Sequence, residues 1–336
     1  MSFVYFRLPH TTQVYRNRIT AEPEEIASLA ELNGRRGFVI APFVPSADCP
    51  ILLLQAEWEP VDVADDCSLE SRLVDADYEA ERSRYAVDFE NYHAQLRDGT
   101  FSKIVLARSA HLRATEQIPA LSLFARACRK YPRMFIALFS TERSGTWLIA
   151  TPEILVSGER GNMTTMALAG TKSKDDNMPW STKNIQEQRY VETYITECIE
   201  HYTSDFSVEG PYTTRAGDLV HLRSDIRFNL ADTSHIGDLL NALHPTPAVC
   251  GIPKAATRDF IVANESAPRS YYSGFSGMLD PDGCTNLFVT LRCMKLNVGN
   301  VYTLYAGGGL LKDSTCQSEW DETEAKMNTM RKTFVK

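Results

Sequence analysis

Short apolar runs separated by turn residues constrain the fold of this chain more than any other feature of its sequence. Strand-like runs follow one another closely between residues 134 and 169. The segments between them are too short for crossover helices, so the spacing favours antiparallel hairpins over βαβ units. Helix-like and strand-like segments then come in separate blocks, which is typical of an α+β fold with largely antiparallel sheets.

Hydrophobic periodicity predicts the bounds of these elements. We expect helices over 78–96, 120–131, 183–202, 236–243, 254–263 and 318–334. We expect strands over 37–44, 51–56, 103–112, 134–140, 146–151, 153–157, 163–169, 270–279, 285–296 and 301–306.

Composition narrows the class of protein. A hydrophobic content of 43% with 23% charged residues is that of an ordinary soluble globular protein, and the net charge of −8 argues against a general nucleic-acid binder. The eight cysteines form no Cys-x-x-Cys pair, so we expect free thiols in a reducing compartment. Without a signal segment or a membrane-spanning run, the expected location is the cytoplasm. An anionic substrate would need local cations to attract it.

The C-terminal segment places three glycines close to a row of carboxylates. An apolar run breaks at Gly307–Gly309, which predicts a strand end whose backbone is closely approached. Glu319, Glu322 and Lys326 then recur at spacings of three and four on one face of a helix. Such carboxylates beside exposed amides indicate an enzyme site for an anionic substrate bridged by a hard metal ion.

Three charged residues in apolar strands each have a structural and a functional interpretation. Lys103 opens a strand, either reaching solvent or acting as a desolvated base. Glu153 follows Pro152, which fixes its backbone, and is either a solvated edge residue or a general acid or ligand. Arg292 lies among apolar neighbours and needs an anion, which is either a ligand carboxylate or an internal salt bridge.

Three further motifs are weak when taken singly. Glu187 lies near a helix start, where acidic residues are common for dipole reasons. Ala169-Gly170-Thr171 ends a strand in a turn that offers amides and a hydroxyl to a carboxylate. His244 lies in a rigid proline loop, and no paired histidine motif of a zinc site is present in the sequence.

The order and spacing of these residues resemble a known family. The series is Ser102-Lys103-Ile-Val-Leu-Ala-Arg108, Thr151-Pro-Glu153, Leu168-Ala169-Gly170-Thr171, Glu187-Gln188, His244-Pro-Thr-Pro-Ala248, Glu265-x-x-x-Arg269-x-x-Tyr272-x-Gly274, Arg292-Cys293, Ala306-Gly-Gly-Gly309 and Glu319-Trp-x-Glu322-x-x-x-Lys326. From about residue 100 to the end, the chain is similar to the chorismate-utilising enzymes, and among them to the isochorismate synthases.

The resemblance implies a fold, a cofactor and partners. The implied fold is an α+β sandwich of two antiparallel sheets packed face to face with helices outside. It forms a single domain over 1–336, with 1–95 as an abbreviated N-terminal part and 96–336 as the catalytic core. The implied cofactor is Mg²⁺ and the substrate is chorismate. We expect no nucleic-acid or membrane partner, and a monomer or weak homodimer.

The resemblance also implies a role for each site residue. Lys103 matches the base that deprotonates water as it attacks ring carbon C2, and Glu153 matches the acid that protonates the departing C4 hydroxyl. Glu187 and Glu322 match the magnesium ligands, with Glu319 beside them. The implied contacts to the substrate come from Ala169, Gly170, Thr171, His244, Tyr272, Arg292, Gly307, Gly309 and Lys326.

Two positions separate this chain from relatives with other chemistry. Anthranilate synthases carry glutamine in place of Lys103, and aminodeoxychorismate synthases carry a nucleophilic lysine in place of Ala169. The pair found here therefore selects water as the nucleophile. Salicylate synthase, which goes on to eliminate pyruvate from isochorismate, shares this pair and stays an alternative. A non-catalytic homologue that binds chorismate is a further alternative.

The chain departs from the family pattern between residues 171 and 186. This segment is shorter than usual, and Lys172 and Lys174 stand where arginines are expected. Gln188 follows Glu187 where relatives often carry histidine. The role of the loop in closing the site stays open.

Overall fold

The computed structural model describes residues 2–19 and 21–336. The described chain forms six α-helices: α1 Tyr78–Arg97, α2 Ala120–Lys130, α3 Thr182–Glu200, α4 Ile236–Leu243, α5 Lys254–Asn264 and α6 Cys316–Arg331. Its strands are β1 Phe3–Arg7, β2 Val14–Ile19, β3 Glu24–Ile26, β4 Gly37–Ala41, β5 Ile51–Leu54, β6 Ala56–Val61, β7 Leu73–Asp75, β8 Lys103–Ala114, β9 Phe135–Thr141, β10 Gly145–Thr151, β11 Ile154–Glu159, β12 Asn162–Ser173, β13 Phe206–Ala216, β14 Leu219–Asn229, β15 Gly251–Ile252, β16 Phe275–Leu279, β17 Cys284–Val289, β18 Cys293–Leu296 and β19 Val301–Leu310.

These strands form two antiparallel sheets. One is ten-stranded, with the order β15-β8-β19-β18-β10-β9-β1-β2-β6 and β7 added to β8. The other is nine-stranded, with the order β13-β14-β12-β11-β17-β16-β4-β5-β3. The α+β class and the antiparallel sheets expected from the sequence are confirmed.

Because successive side chains of a strand point to opposite faces of its sheet, the apolar side chains lie in three layers. Between the sheets, Phe135 of β9 stacks on Phe288 of β17 with ring centroids 4.3 Å apart. The outer face of the ten-stranded sheet packs on α1, α2, α5 and α6, and that of the nine-stranded sheet packs on α3 and α4. The burial of apolar area on both faces of each sheet stabilises a helix–sheet–sheet–helix sandwich.

The N-terminal residues complete both sheets. Strands β1, β2 and β6 extend the ten-stranded sheet beyond β9, while β3, β4 and β5 extend the nine-stranded sheet beyond β16. Part of the sandwich therefore comes from the region whose sequence signals were weakest.

The bounds of most expected elements agree with the structure, including α4 at both ends, but three strand predictions were wrong. The segment 285–296 is two strands in different sheets, β17 and β18. The segment 270–279 becomes a strand only at Phe275. The apolar run does not break at the glycines, because β19 continues through Gly307–Gly309 to Leu310. The hairpin β13–β14 was not expected, since β13 is mostly exposed and lacks an apolar face.

No helix of residues 2–19 and 21–336 combines the length and the apolar character needed to cross a membrane.

Candidate active site

Neighbouring strands β8 and β19 build the floor of a cavity between the sheets. Val105 is paired with Gly309 and Ala107 with Gly307, so Lys103, Val105 and the two glycines share one face. A Cβ on Gly309 would lie 2.0 Å from Glu187 Oε1 and 2.7 Å from Lys103 Cε. Only glycine at this position lets both charged side chains reach across the strand.

Within the described chain, the outer edge of β19 has no strand partner where it passes the cavity. β18 pairs with β19 only as far as Tyr305. Past Tyr305, on the edge that β18 has left, Lys326 Nζ donates to Gly307 O at 2.8 Å. Main-chain groups of alternate residues share an edge, so the amides of Gly307 and Gly309 lie there too. The glycines thus offer backbone amides, as the resemblance implies, but from within a strand.

Lys103 and Glu187 form a buried ion pair at the cavity. Lys103 Nζ lies 3.1 Å from Glu187 Oε1, and the lysine side chain is 0% exposed. Glu187 sits on α3, whose start is capped by Ser181 accepting from Asn184 N. Burial alone would raise the pKa of Glu187, but the positive charges of Lys103, Lys183 and Lys326 lower it.

Glu153 lies in the turn between β10 and β11 and faces the same cavity. Burial raises its pKa to about 8, against the opposing charges of Lys103, Arg292 and Lys326. The carboxyl group is therefore protonated at neutral pH, as a proton donor requires. Of the two interpretations left by the sequence, the solvated edge glutamate is wrong.

Arg292 occupies the break between β17 and β18, where its φ of 46° ends one strand and redirects the chain into the other sheet. Its Nη2 donates to His221 Nε2 at 2.8 Å. Within the described residues Arg292 forms no ion pair with a carboxylate, and its buried Nη1 has no partner. The internal salt bridge considered from the sequence is therefore absent from the described residues. Arg292 lines the cavity, and its Nη1 is an unpaired hydrogen-bond donor.

His221 of β14 is a cavity residue that the sequence analysis missed. Its Nδ1 donates to Gly170 O at 2.9 Å, and burial together with the charge of Arg292 holds its pKa well below the ordinary value. The only sequence signal was one histidine in the apolar run Leu219–Leu222, within a hairpin that was itself not expected.

The Ala169-Gly170-Thr171 motif forms a bulge in β12 beside the start of α3. The register shifts between Ala169 and Thr171, and Gly170 takes a φ of 71°. Gly170 N then donates to Glu187 Oε2 at 3.2 Å, and Ala169 N donates to Gln188 Oε1 at 3.0 Å. The bulge orients Glu187 and turns all three motif residues toward the cavity.

His244 is not brought to this cavity. Its Nε2 lies 3.0 Å from Pro42 O and 3.2 Å from Phe43 O. Burial lowers its pKa to about 4, so the ring is a neutral donor to these carbonyls. The substrate contact implied for His244 therefore has no support in the geometry, and its contacts join the loop before α5 to the end of β4.

Two more carboxylates lie against β19 at Gly308, next to the glycine that Glu187 approaches. A Cβ on Gly308 would lie 3.1 Å from Glu319 Oε2 and 3.4 Å from Glu322 Oε1. Thr315 caps α6 by accepting from Ser318 N, which sets both glutamates against the strand. Among residues 2–19 and 21–336, no three His, Cys, Asp or Glu side chains already converge as a metal site.

Each of the three carboxylates is held by a lysine instead. The ion pairs are Lys103 with Glu187, Lys183 with Glu319, and Lys326 with Glu322. Glu319 Oε2 is buried without a hydrogen-bond partner in the described chain, and burial together with the charge of Glu322 raises the pKa of Glu319. An orphaned carboxylate oxygen within an all-oxygen donor set fits a hard cation such as Mg²⁺.

The cavity is lined by residues from both sheets and from α3 and α6. The lining residues predicted from the sequence are Glu153, Ala169, Gly170, Thr171, Glu187, Tyr272, Arg292, Gly307, Gly309 and Lys326. Its apolar walls come from Val105, Leu168, Ala248, Val249 and Leu291. A cavity with cations and a protonated acid between apolar walls suits a small anion with apolar parts.

Comparison with solved structures defines the class of fold. MenF, the menaquinone-specific isochorismate synthase of Escherichia coli, superposes with a TM-score of 0.82 at 22% identity, covering 100% of this chain and 89% of that one. Anthranilate synthase component I of Streptococcus pneumoniae superposes with a TM-score of 0.68 at 16% identity, covering 98% and 90%. The α+β sandwich is the fold of these enzymes.

The chain belongs to the family of chorismate binding enzymes, whose sequence model matches residues 54–335. It is 32% identical over 255 residues to the isochorismate synthase DhbC of Bacillus subtilis, covering 70% of this chain and 64% of that protein. The chain thus spans less than two thirds of the length of this relative.

Proposed function

We propose that this protein is an isochorismate synthase that converts chorismate into isochorismate with Mg²⁺. The observation that carries the proposal is the buried, protonated Glu153 in the cavity that Glu187 also lines, with Lys103 paired to Glu187 directly behind it. A proton donor and an amine at one site, with Ala169 where a nucleophilic lysine would stand, match the addition of water at one ring carbon and its loss at another.

The reaction is an isomerisation in which one water enters and one leaves. In the resting site Lys103 is paired with Glu187 as a cation. The proposed base is the same amine after it has lost a proton, and it takes a proton from the water whose oxygen bonds to C2. The ring double bonds shift, the C4–O bond breaks, and Glu153 gives its proton to the departing hydroxyl, which leaves as water. Proton transfer from Lys103 back to Glu153 restores the site, and the placement of the ring between these two groups supplies the orientational part of catalysis.

The cations of the cavity hold the two carboxylates of the substrate. Arg292 Nη1, the amides of Gly307 and Gly309 and the Tyr272 hydroxyl form the proposed site for the enolpyruvyl carboxylate. Mg²⁺ held by Glu187 and Glu322, with Glu319 in support, would supply positive charge for the ring carboxylate. These local charges overcome the repulsion expected from a chain of net charge −8.

Incubation of the purified protein with chorismate and Mg²⁺, followed by chromatography of the products, tests the proposal. We expect isochorismate to accumulate, with kcat lowered on the order of 10³-fold in Lys103→Ala and in Glu153→Gln at unchanged circular dichroism. Release of salicylate and pyruvate would instead identify a salicylate synthase. The absence of any product would identify a non-catalytic chorismate-binding homologue.

The pathway, location and assembly belong to the same proposal. By resemblance, the product enters menaquinone or siderophore synthesis. The eight cysteines form no disulfide in the described chain, which supports the cytoplasm as the location. Chorismate is the proposed partner, and the protein is proposed to be a monomer or weak homodimer, which light scattering coupled to size-exclusion chromatography would determine.

A further inference from the structure

One edge of β8 lacks a strand partner over its central part. On the other edge, β19 pairs with β8 from Ile104 to Arg113. On the incomplete edge, within the described residues, β15 reaches Ile104 and β7 pairs only from Leu112 onward. Unpaired buried backbone groups are costly, so the groups between these points need other partners.

The side chains of Glu265 and Arg269 supply two of those partners. Arg269 Nη2 donates to Val105 O at 2.8 Å, and Glu265 Oε1 accepts from Ala107 N at 2.8 Å. The two side chains bind each other through Nε–Oε2 at 2.6 Å and Nη2–Oε1 at 2.7 Å. Each is 4% exposed. This bidentate pair takes the place that a further strand would occupy.

The same pair also holds a second wall of the cavity. Arg269 Nη1 donates to Val249 O at 2.7 Å, and the carbonyl of Arg269 accepts from Tyr272 N at 2.9 Å. Val105, Val249 and Tyr272 all line the cavity, whereas Glu265 and Arg269 do not. The guanidinium of Arg269 therefore links β8 to Val249, and the backbone carbonyl of the same residue holds Tyr272.

We propose that the Glu265–Arg269 pair is a positioning element that sets the distance between Lys103 and the Val249–Tyr272 wall. The proposal rests on the proposed function. Lys103 and Val105 lie on the same face of β8, so a shift of the Val105 carbonyl moves Lys103 as well. A displacement of about 1 Å at a reacting group costs on the order of 10²-fold in rate. Because the pair does not contact the cavity, its loss acts on kcat more than on KM.

Arg126 offers a matched control at a distance from the cavity. Its guanidinium is likewise buried, pairs with Asp65 at 2.8 Å, and donates to the carbonyls of Cys67 and Leu69 at 2.9 and 2.7 Å. It lies on α2, on the outer face of the ten-stranded sheet. Removal of the Arg126 guanidinium should destabilise the fold, because a comparable ion pair and set of hydrogen bonds to carbonyls are lost. It should not move Lys103.

Steady-state kinetics of chorismate conversion in Arg269→Met, Arg269→Lys and Arg126→Met, with thermal unfolding of each, test the proposal. In Arg269→Met we expect kcat to fall by about tenfold or more with KM changed by less than about threefold. Arg269→Lys should recover part of kcat, because the ammonium still reaches one of the carbonyls. Arg126→Met should lose thermal stability and keep kcat.

Two results would overturn the proposal. One is an unchanged kcat in folded Arg269→Met, and the other is an equal loss of kcat in Arg126→Met, since the effect would then be general destabilisation. If Arg269→Met does not fold, Glu265→Gln takes its place, because it removes the charge and keeps the shape. Failure of the proposed function would show separately, as a wild-type protein that makes no isochorismate.

Discussion

Arg292 donates from Nη2 to His221 Nε2 at 2.8 Å. Since the guanidinium has no acceptor, His221 Nε2 must carry the lone pair and Nδ1 the hydrogen, which is donated to Gly170 O. The depressed pKa of His221 agrees with a neutral ring. The histidine thereby orients the guanidinium and joins it to the bulge that holds Glu187, while Nη1 stays available to a ligand.

Replacing His221 with phenylalanine should weaken the binding of chorismate. The ring keeps its volume but accepts no hydrogen bond, so Arg292 loses its only side-chain acceptor within the described chain. An unsatisfied buried donor costs about 1–3 kcal/mol, so we expect KM to rise on the order of tenfold or more. Steady-state kinetics measure the change. His235→Ala, at an exposed histidine far from the cavity, is the control, and an unchanged KM in His221→Phe would contradict the role given to this contact.

Alanine at Gly309 should abolish turnover, whereas alanine at Gly308 should reduce it less. A Cβ at 309 would lie 2.0 Å from Glu187 Oε1, so this carboxylate and Lys103 would both have to move. At 308 the nearest atom is 3.1 Å away and belongs to the side chain of Glu319. We expect kcat/KM to fall on the order of 10²-fold or more for Gly309→Ala. Equal activity of the two variants in the product assay would show that the approach of Glu187 is not needed.

The fold could be predicted from the spacing of apolar runs, because short runs with turns between them leave few alternatives to antiparallel pairing. The strand break at Arg292 could not be predicted. Residues 285–296 are mostly apolar with no turn signal between them, and only the three-dimensional fold shows that β17 and β18 lie in different sheets. Periodicity is insensitive to such a crossover.

In the candidate site, too, some residues could be predicted from the sequence and others could not. Lys103, Glu153 and the glycines were found because their residue types conflict with an apolar strand. His221 was missed because its hairpin has a polar, exposed outer strand, and His244 was included because a proline loop looks the same whether or not it faces a cavity. Which way a histidine points is decided by packing, as the carbonyls of Pro42 and Phe43 around His244 illustrate.

Glutamine at position 153 should stabilise the protein at alkaline pH. The pKa of Glu153 rises from 4.5 to about 8 on folding, so between these values the folded protein holds a proton that the unfolded chain has released. Between pH 4.5 and about 8, the contribution of the Glu153 carboxyl to the free energy of unfolding therefore falls as the pH rises. Above pH 8 this contribution stays constant. Above pH 8 we expect the free energy of unfolding of Glu153→Gln to exceed that of the wild type by on the order of a few kcal/mol, which corresponds to the size of the pKa shift. Denaturant unfolding at several pH values measures the difference.

A difference that does not grow between pH 4.5 and 8 would contradict the raised pKa of Glu153. Glu159→Gln is the control for this experiment. This residue lies at the exposed end of β11, so the substitution removes a carboxylate from the same strand region without touching the cavity.

Removal of divalent cations should abolish the proposed conversion of chorismate, and addition of Mg²⁺ should restore this activity. Each of the three carboxylates around Gly308 and Gly309 is paired with a lysine, and Glu319 Oε2 has no hydrogen-bond partner in the described chain. A cation that binds only the folded state raises its stability by mass action. Mg²⁺ added to chelator-treated protein should therefore raise Tm in a concentration-dependent way, which gives a readout independent of turnover.

Neighbouring residues of α6 provide the variant and its control for this experiment. Glu322→Gln removes a proposed ligand, and we expect it to shift the Mg²⁺ dependence of both Tm and activity to concentrations higher by about tenfold or more. Asp321→Asn removes the same charge from the exposed side of the helix, where Asp321 accepts from Gln317, and should leave both curves in place. Identical curves for Glu322→Gln and wild type would exclude Glu322 as a ligand. Full activity of the wild type in excess chelator would remove Mg²⁺ from the mechanism.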